Sequence, residues 1–342
     1  MSSSVAVFGA YGHTGRFIVA ELVRRGWTPI LSGRDEVRLR ELADAHPGPA
    51  VRPATIDDPA ALDRALAGSV AVINAAGPFG DTVPAVVEAA LRAGVHYVDV
   101  AAEVEVVAKT VAAYQDRATE AGIVIAPAIA FYGGLGDLLA SAAMADLPAA
   151  DEIELAFALD SWVPTKGTRE AGVASRGRRN GQRLVYRDGA FGLRDDAAPV
   201  SERTFPAPFG KQTVVGDFTT ADSVTIPYHL KTTALHTYMT AAPLRDLASP
   251  DLAPPQPADE SGRSAQQFLV EVVVRSGSLR RHAVVAGRDI YAVTAPIAVE
   301  ALSHITSGGR SGVRTAGQLG DPGAILRALL PAHLDRLEFN AG

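Results

Sequence analysis

The chain has 342 residues, 47% hydrophobic and 20% charged, with 32 Lys and Arg against 38 Asp and Glu for a net charge of −6. That length suits two domains, and that apolar content can fill their cores. A mildly acidic chain has no general attraction for nucleic acid or anionic lipid, and the lack of cysteine excludes disulfides, thiolate catalysis and cysteine-bound metals.

Met1-Ser2-Ser3-Ser4 runs straight into apolar Val5–Phe8, without the basic and long apolar regions of an export signal. The apolar stretch 122–131 contains Pro127 and is too short for a bilayer, which takes roughly 20 apolar residues. A soluble cytoplasmic protein with no membrane insertion is expected. Val5–Phe8 reads as a strand ended by glycine. Phe17–Arg25 sets Ile18, Val19, Leu22 and Val23 at helical spacing and stops at Gly26. Thr28–Ser32 is a second strand, Glu36–Ala45 a charged helix closed before Pro47, and Val51–Thr55 a third strand. Pro59–Ala67 is a helix capped by Asp57 or Asp58. Val70–Asn74, Thr82–Ala93, Tyr97–Val100, Val104–Ala121 and Ile123–Pro127 continue the alternation. The fold class predicted is α/β, with an N-terminal parallel sheet of Rossmann type covered on both faces.

The character changes near residue 150. Glu152–Leu159, Arg183–Tyr186, Gln212–Val215, Ser223–Ile226 and Gln267–Ser276 read as strands between turns rich in Gly, Pro and Asp, which predicts a second, mixed α+β domain. Leu247–Gly262 reads as an exposed loop, and Asp289–Ile305 and Ala324–Leu330 as helices.

The motif Gly9-Ala10-Tyr11-Gly12-His13-Thr14-Gly15 follows a strand and opens a helix. Gly9 permits the tight turn, Gly12 lets a phosphate approach the backbone, and Gly15 lets the helix pack on the strand. A pyrophosphate would sit on free N–H groups at the positive helix end. A dinucleotide site is predicted, against the alternative of a purely structural turn. The second strand ends in Ser32-Gly33-Arg34, without the acid that holds the ribose 2′-hydroxyl of NAD. Arg34 presents a planar fork that suits a 2′-phosphate, and Ser32 adds a hydroxyl, so the cofactor predicted is NADP, as NADPH. The alternative leaves Arg34 as a solvated surface residue. Arg38, one turn on, either assists or is simply exposed. Asn74-Ala75-Ala76-Gly77-Pro78-Phe79 ends the fourth strand with small residues that admit the ribose and nicotinamide. Asp57 could accept from the adenine amine or cap the next helix.

Together these segments resemble the saccharopine dehydrogenase-like family of NADP-binding reductases along the length of the chain. The resemblance rests on Gly9–Gly15, Ser32–Arg34, Asn74–Phe79, Tyr97-Val98-Asp99-Val100-Ala101-Ala102-Glu103, Ala126–Leu138, Lys166-Gly167-Thr168 and Tyr291-Ala292-Val293-Thr294-Ala295. The pairing of Tyr97–Glu103 with Ala126–Leu138 is its most specific part. Relatives typically read Gly-Phe-Asp-Ser-x-Pro-x-Asp where this chain reads Ala130-Phe131-Tyr132-Gly133-Gly134-Leu135-Gly136-Asp137, and only Phe131 and Asp137 are kept. Glu103 likewise follows two alanines where a glycine is usual. These changes border the expected nicotinamide pocket and suggest a substrate unlike that of the better-known members.

The resemblance implies a Rossmann domain over 1–135 and a mixed domain over 136–308 that forms the substrate pocket and often a dimer interface. It also implies a C-terminal segment, 309–342, packing back on the first domain. The implied activity is NADPH-dependent reduction of a C=N or C=C bond in a small or lipid-linked metabolite. The alternative is a cofactor-bound regulatory or scaffold protein. A small-molecule substrate and a homodimer are the expected partners.

Hydride transfer asks the protein to place nicotinamide C4 against the acceptor and to manage one proton. Tyr132, after the sixth strand, is a proton donor or a pocket wall. Glu103 could bind an amine or a ribose, or cap the helix from Val104, while Asp99 is expected to be structural. On a strand, Tyr228 and Leu230 would share one face and His229 and Lys231 the other, with His229 able to supply a proton and Lys231 able to hold a carboxylate, against a plain polar strand face. Tyr132, Glu103, His229 and Lys231 form the predicted catalytic set. The substrate is expected over Phe79, Glu103 and Tyr132, with 228–231 as the opposite wall. Histidine spacing suits no metal, and none is expected.

Overall fold

The computed structural model describes residues 3–46, 48–249 and 253–341; Met1, Ser2, Pro47, the 250–252 part of the predicted loop and Gly342 lie outside the described residues. The first sheet holds β1 (Ser4–Phe8), β2 (Thr28–Ser32), β3 (Ala50–Val51), β4 (Ala71–Asn74), β5 (His96–Asp99) and β6 (Val124–Ala126), joined by the late strand β15 (Gly312–Val313). Its order is β15-β6-β5-β4-β1-β2-β3, and each adjacent pair is parallel. Helices α1 (His13–Arg24), α2 (Glu36–Asp44), α3 (Pro59–Leu66), α4 (Phe79–Ala93) and α5 (Val104–Glu120) cover it. Val5, Ala6 and Val7 of the central strand are fully buried, which is why β1 is apolar throughout rather than alternating. The chain reverses direction across the sheet between β1 and β4, and this opens a crevice beyond their carboxyl ends.

The second sheet takes β7 (Ala150–Leu159), β8 (Arg183–Arg187), β9 (Ala190–Arg194), β10 (Val200–Thr204), β11 (Lys211–Gly216), β12 (Thr232–Thr240), β13 (Gln267–Ser276), β14 (Leu279–Arg288) and β16 (Leu334–Ala341). It is mixed: β12 runs parallel to β7, and the other pairs are antiparallel. The helices of this half are α6 (Gly136–Met144), α7 (Lys166–Arg178), α8 (Asp222–His229) and α9 (Ala241–Ala248). The chain then returns through α10 (Thr294–Ser307), which packs on α1 and pairs Glu300 with Arg25. After β15 and α11 (Pro322–Ala328), β16 leaves again for the second sheet beside β14. The C-terminal stretch thus serves both halves. Among the described residues no helix is long and apolar enough to cross a membrane.

One prediction is corrected here. Residues 223–226 are helical, within α8, and not a strand. Ser223, Val224, Thr225 and Ile226 are all buried, and a short run buried on every side carries no periodicity to tell strand from helix.

The turn from β1 into α1 leaves no space at two glycines. A Cβ on Gly15 would lie 2.2 Å from the Gly9 carbonyl oxygen, and one on Gly9, whose φ is +86°, would lie 2.8 Å from the Ala76 nitrogen. Both neighbours are backbone and cannot swing aside. Gly15→Ala is therefore expected to destabilise the fold by about 2 kcal/mol or more, the upper part of the overpacking range. The check is the urea unfolding midpoint of the apo protein; an unchanged midpoint would show that the turn has slack which the geometry denies.

Candidate active site

Gly12 precedes α1 in extended conformation, donates its N–H to the Gly9 oxygen at 3.0 Å, and accepts from Arg16 N. Among the described residues the amides of His13, Thr14 and Gly15 have no acceptor within the chain. Three donors at the positive end of a helix are what an anion binds. Beside them the Tyr11 ring lies on Gly33, where a Cβ would come within 2.9 Å of its Cε1, and the Arg38 guanidinium stacks over that ring at 4.6 Å. Ser32 is fully buried, and its Oγ has no hydrogen-bond partner. Arg34 is exposed and makes no ion pair or hydrogen bond among the described residues. Glycine clearance, an orphaned buried hydroxyl and a free guanidinium side by side fit the phosphates and adenosine ribose of a nicotinamide dinucleotide. Asp57 is exposed, and the cap of α3 falls to Asp58, whose Oδ1 accepts from Ala61 N at 2.9 Å.

Across the crevice, Asn74 turns inward. Its amide donates to Thr82 Oγ1 and the Tyr97 hydroxyl, and its Oδ1 accepts from Ala76 N. It shapes the turn, so any ligand contact here belongs to Ala75, Ala76, Gly77 and Pro78. Phe79 is buried and donates its N–H to Glu103 Oε1 at 2.7 Å; Glu103 Oε2 accepts from Gly80 N at 3.3 Å and from Arg178 Nη1 at 2.7 Å. Glu103 is 3% exposed, and burial raises its carboxyl above the usual range despite these donors. This corrects the expected roles of Glu103. Both its carboxylate oxygens are committed: Glu103 stands at the N-cap of α5, but its side chain caps α4. Asp99 is wholly buried, and its carboxylate accepts from Ala101 N, Ala128 N and the Tyr97 hydroxyl, joining the turns after β5 and β6.

The turn Phe131–Leu135 carries Tyr132 into an aromatic group. The Tyr132 ring meets Phe131 at 4.8 Å, Phe157 at 5.1 Å, Trp162 at 5.4 Å and Phe218 at 6.2 Å. Its hydroxyl is buried without a partner, and burial keeps it protonated by pushing its pKa well up. Gly133 makes the turn possible: its φ is +97°, and a Cβ there would meet those of Ala128 and Ala221 at 2.6 and 2.8 Å. Trp162 Nε1 donates to the Tyr291 hydroxyl at 3.4 Å, and the Tyr291 ring stands edge-on to His13 at 5.2 Å. His13 Nε2 is a further buried polar atom without a partner, and burial lowers the imidazole pKa. The glycine loop and the second half therefore meet through His13, Tyr291 and Trp162, with Tyr132 beyond them.

His229 and Lys231 do not join that group. His229, at the end of α8, bonds Asp137 at 2.6 Å, and Asp137 accepts from Gly317 N at 2.7 Å. Burial opposes charge on this imidazole, but the Asp137 carboxylate outweighs it and raises the pKa. The ring lines a cavity of about 540 Å³ with Ser141, Arg327 and Phe339. Lys231 is exposed where β12 begins, and its oxygen accepts from Ala150 N. Phe157, against Tyr132, lies seven residues further along β7, about 23 Å at strand rise. Lys231 and Tyr132 thus lie at opposite ends of one strand, so 228–231 does not face Tyr132 as predicted; Trp162 and Phe218 do, with Tyr291 beside Trp162. Tyr291 and Thr168 stand in segments that carried the family resemblance. Trp162 and Arg178 carry no sequence signal, because their partners are distant in the chain.

Asp222 supports the Tyr132 turn from below. Fully buried, it accepts from Gly133 N at 2.8 Å and Thr220 Oγ1 at 2.9 Å, and burial raises its pKa to about 7 from an ordinary 3.8. Below pH 4 the carboxyl is neutral in both folded and unfolded chains. Between pH 4 and 7 the unfolded chain gives up this proton first, so the group costs stability as pH rises, on the order of 4 kcal/mol over the window. Asp222→Asn should remove that slope, gaining about 2–3 kcal/mol on the natural protein between pH 5 and pH 8. Urea midpoints of both proteins across that range test this, and parallel curves would refute the buried ionisation.

Residues 5–126 match the family model of the saccharopine dehydrogenase NADP binding domain. A probable mitochondrial saccharopine dehydrogenase-like oxidoreductase of Arabidopsis thaliana is 32% identical over 142 residues, 37% of this chain and 31% of that protein. A lipid droplet localized protein of Caenorhabditis elegans is 32% identical over 136 residues, 36% of this chain and 32% of its own length. The matched stretch thus spans about a third of these relatives. Over its whole length the fold is that of the apo form of Saccharomyces cerevisiae saccharopine dehydrogenase (L-Glu forming), with a TM-score of 0.66, 11% identity and complete coverage of both chains. Residues 5–126 thus resemble a saccharopine dehydrogenase NADP binding domain by sequence, and the chain as a whole shares the fold of saccharopine dehydrogenase.

Proposed function

We propose that this protein is an NADPH-dependent reductase that transfers hydride to a C=N or C=C bond of a small metabolite. The observation that carries the reading is a convergence at one edge of the parallel sheet. Free amides on His13, Thr14 and Gly15, unpaired Arg34, and the buried, unpartnered atoms of Ser32, His13 and Tyr132 all gather around the crevice between β1 and β4 or on its far wall. Buried polar groups are normally satisfied, so several orphans around one crevice point to a polar ligand.

In this reading the Gly9–Gly15 loop receives the pyrophosphate, Arg34 and Ser32 hold the 2′-phosphate, and the backbone of Ala75–Pro78 leaves room for the nicotinamide ribose. When bound, NADPH supplies a hydride from nicotinamide C4. Tyr132 holds the proton: its hydroxyl stays protonated because the aromatic surroundings disfavour a phenolate. Trp162, Phe218 and Phe157 exclude water from it.

Arg34→Ala should weaken NADPH binding by roughly 10- to 150-fold, the loss of one charge-assisted contact worth on the order of 1.5–3 kcal/mol, and leave NADH binding almost unchanged. Calorimetric titration with both cofactors decides it. Equal losses, or a natural protein that prefers NADH, would remove the 2′-phosphate assignment. Tyr132→Phe should leave NADPH affinity and thermal stability intact, since the hydroxyl has no partner to lose, while lowering kcat by roughly 10²-fold on any accepted imine or conjugated alkene. A change confined to KM would make Tyr132 a pocket wall.

A further inference from the structure

Helix α7 crosses the cofactor edge with little to hold it down. Of its thirteen residues only Ser175 is buried. At its start, Thr165 N donates to the Tyr291 hydroxyl at 3.3 Å and Thr168 Oγ1 bonds it at 3.0 Å, and Tyr291 packs on His13 of the glycine loop. At its end, Arg178 reaches the N-termini of α4 and α5. Its Nη1 donates to Glu103 at 2.7 Å and Glu105 at 3.4 Å, and its Nη2 to Asp81 at 3.1 Å. The guanidinium lies so close to Gly80 that a Cβ there would stand 2.2 Å from Arg178 Cζ. Glu103 in turn holds Phe79 N and Gly80 N, and so closes the Ala75–Phe79 turn.

We propose that Arg178 is a positioning residue that latches α7 over the dinucleotide site and, through Glu103, fixes the turn that borders the nicotinamide half. The proposal rests on the reading that NADPH binds at this edge. The latch is an ion pair between a side chain 27% exposed and one 3% exposed. Opening it strands the Glu103 carboxylate in a buried place without its countercharge, so the closed state is favoured and bound cofactor is retained. Closure also explains the buried, unpartnered His13 nitrogen, since Tyr291, which covers it, is itself held by the start of α7. The remaining contacts of α7 at this end are polar and cheap to remake: Ser175 Oγ donates to Glu105 at 2.7 Å, and Arg179 lies 3.7 Å from the same carboxylate.

The test is NADPH release from the full-length protein, followed by nucleotide fluorescence in stopped flow after excess NADP+ is added. Arg178→Met should release NADPH about tenfold faster or more, with association no slower. Arg178→Lys, which keeps the charge without the fork, should fall between. Glu103→Gln keeps an acceptor for Phe79 N but loses the charge that holds Arg178; it too should release faster, and it serves if Arg178→Met folds poorly. Limited trypsin cleavage after exposed Arg176 gives a second readout: NADPH should slow it in the natural protein and not in Arg178→Met. Release from all three variants within twofold of the natural protein overturns the latch and leaves the cofactor reading intact. A natural protein that binds no NADPH overturns the cofactor reading on which the latch rests.

Discussion

The first turn of α1 packs on the turn after β1, and that turn on the one after β4, backbone to backbone, with no room for a side chain at Gly15 or Gly9. Everything at the candidate site hangs from that constraint. Because α1 starts so close to the sheet, its free amides face the crevice between β1 and β4 rather than bulk solvent. Because Gly9 abuts Ala75 and Ala76, the two turns that border a dinucleotide are locked to each other. Asn74 and Glu103 then hold the second of these turns from within, one from β4 and one from the start of α5.

A second principle is visible in how the halves of the molecule meet. The Rossmann half presents backbone donors and small residues, which bind but do not discriminate between substrates. The other half presents rings: Tyr132, Trp162, Phe218 and Tyr291. Where the family resemblance led to an acid in the turn after β6, this chain places Tyr132, and the space is aromatic rather than charged. The nearby carboxyl, Asp222, is spent on holding the turn itself. The departures in the 130–137 segment thus replace a charged turn by an aromatic one.

The two halves share one apolar core, but α7 is tied down at its ends by a ring contact and an ion pair rather than by a large apolar surface. The His13–Tyr291 contact and the Arg178–Glu103 pair sit at opposite ends of α7, and the helix between them buries one serine. Interfaces of this kind move more readily than apolar ones.

The parallel sheet, its helices and the candidate dinucleotide edge were legible from local sequence alone. Those features are local: a glycine spacing, an apolar run and an arginine at a strand end each sit within one β-turn-α unit, where chain neighbours are also spatial neighbours. The mixed second sheet was legible as a class but not in register, since β7 finds its parallel partner β12 some eighty residues on. Only the tertiary structure decided what Glu103, His229 and Lys231 do. Glu103 is claimed by an arginine 75 positions away, His229 by an aspartate 92 positions away, and Lys231 is carried to the wrong end of β7 by an α-helix that reads locally as a strand. A side chain's chemistry is written in the sequence, but its partner is set by long-range packing, and the partner determines whether an acid or base is free to react.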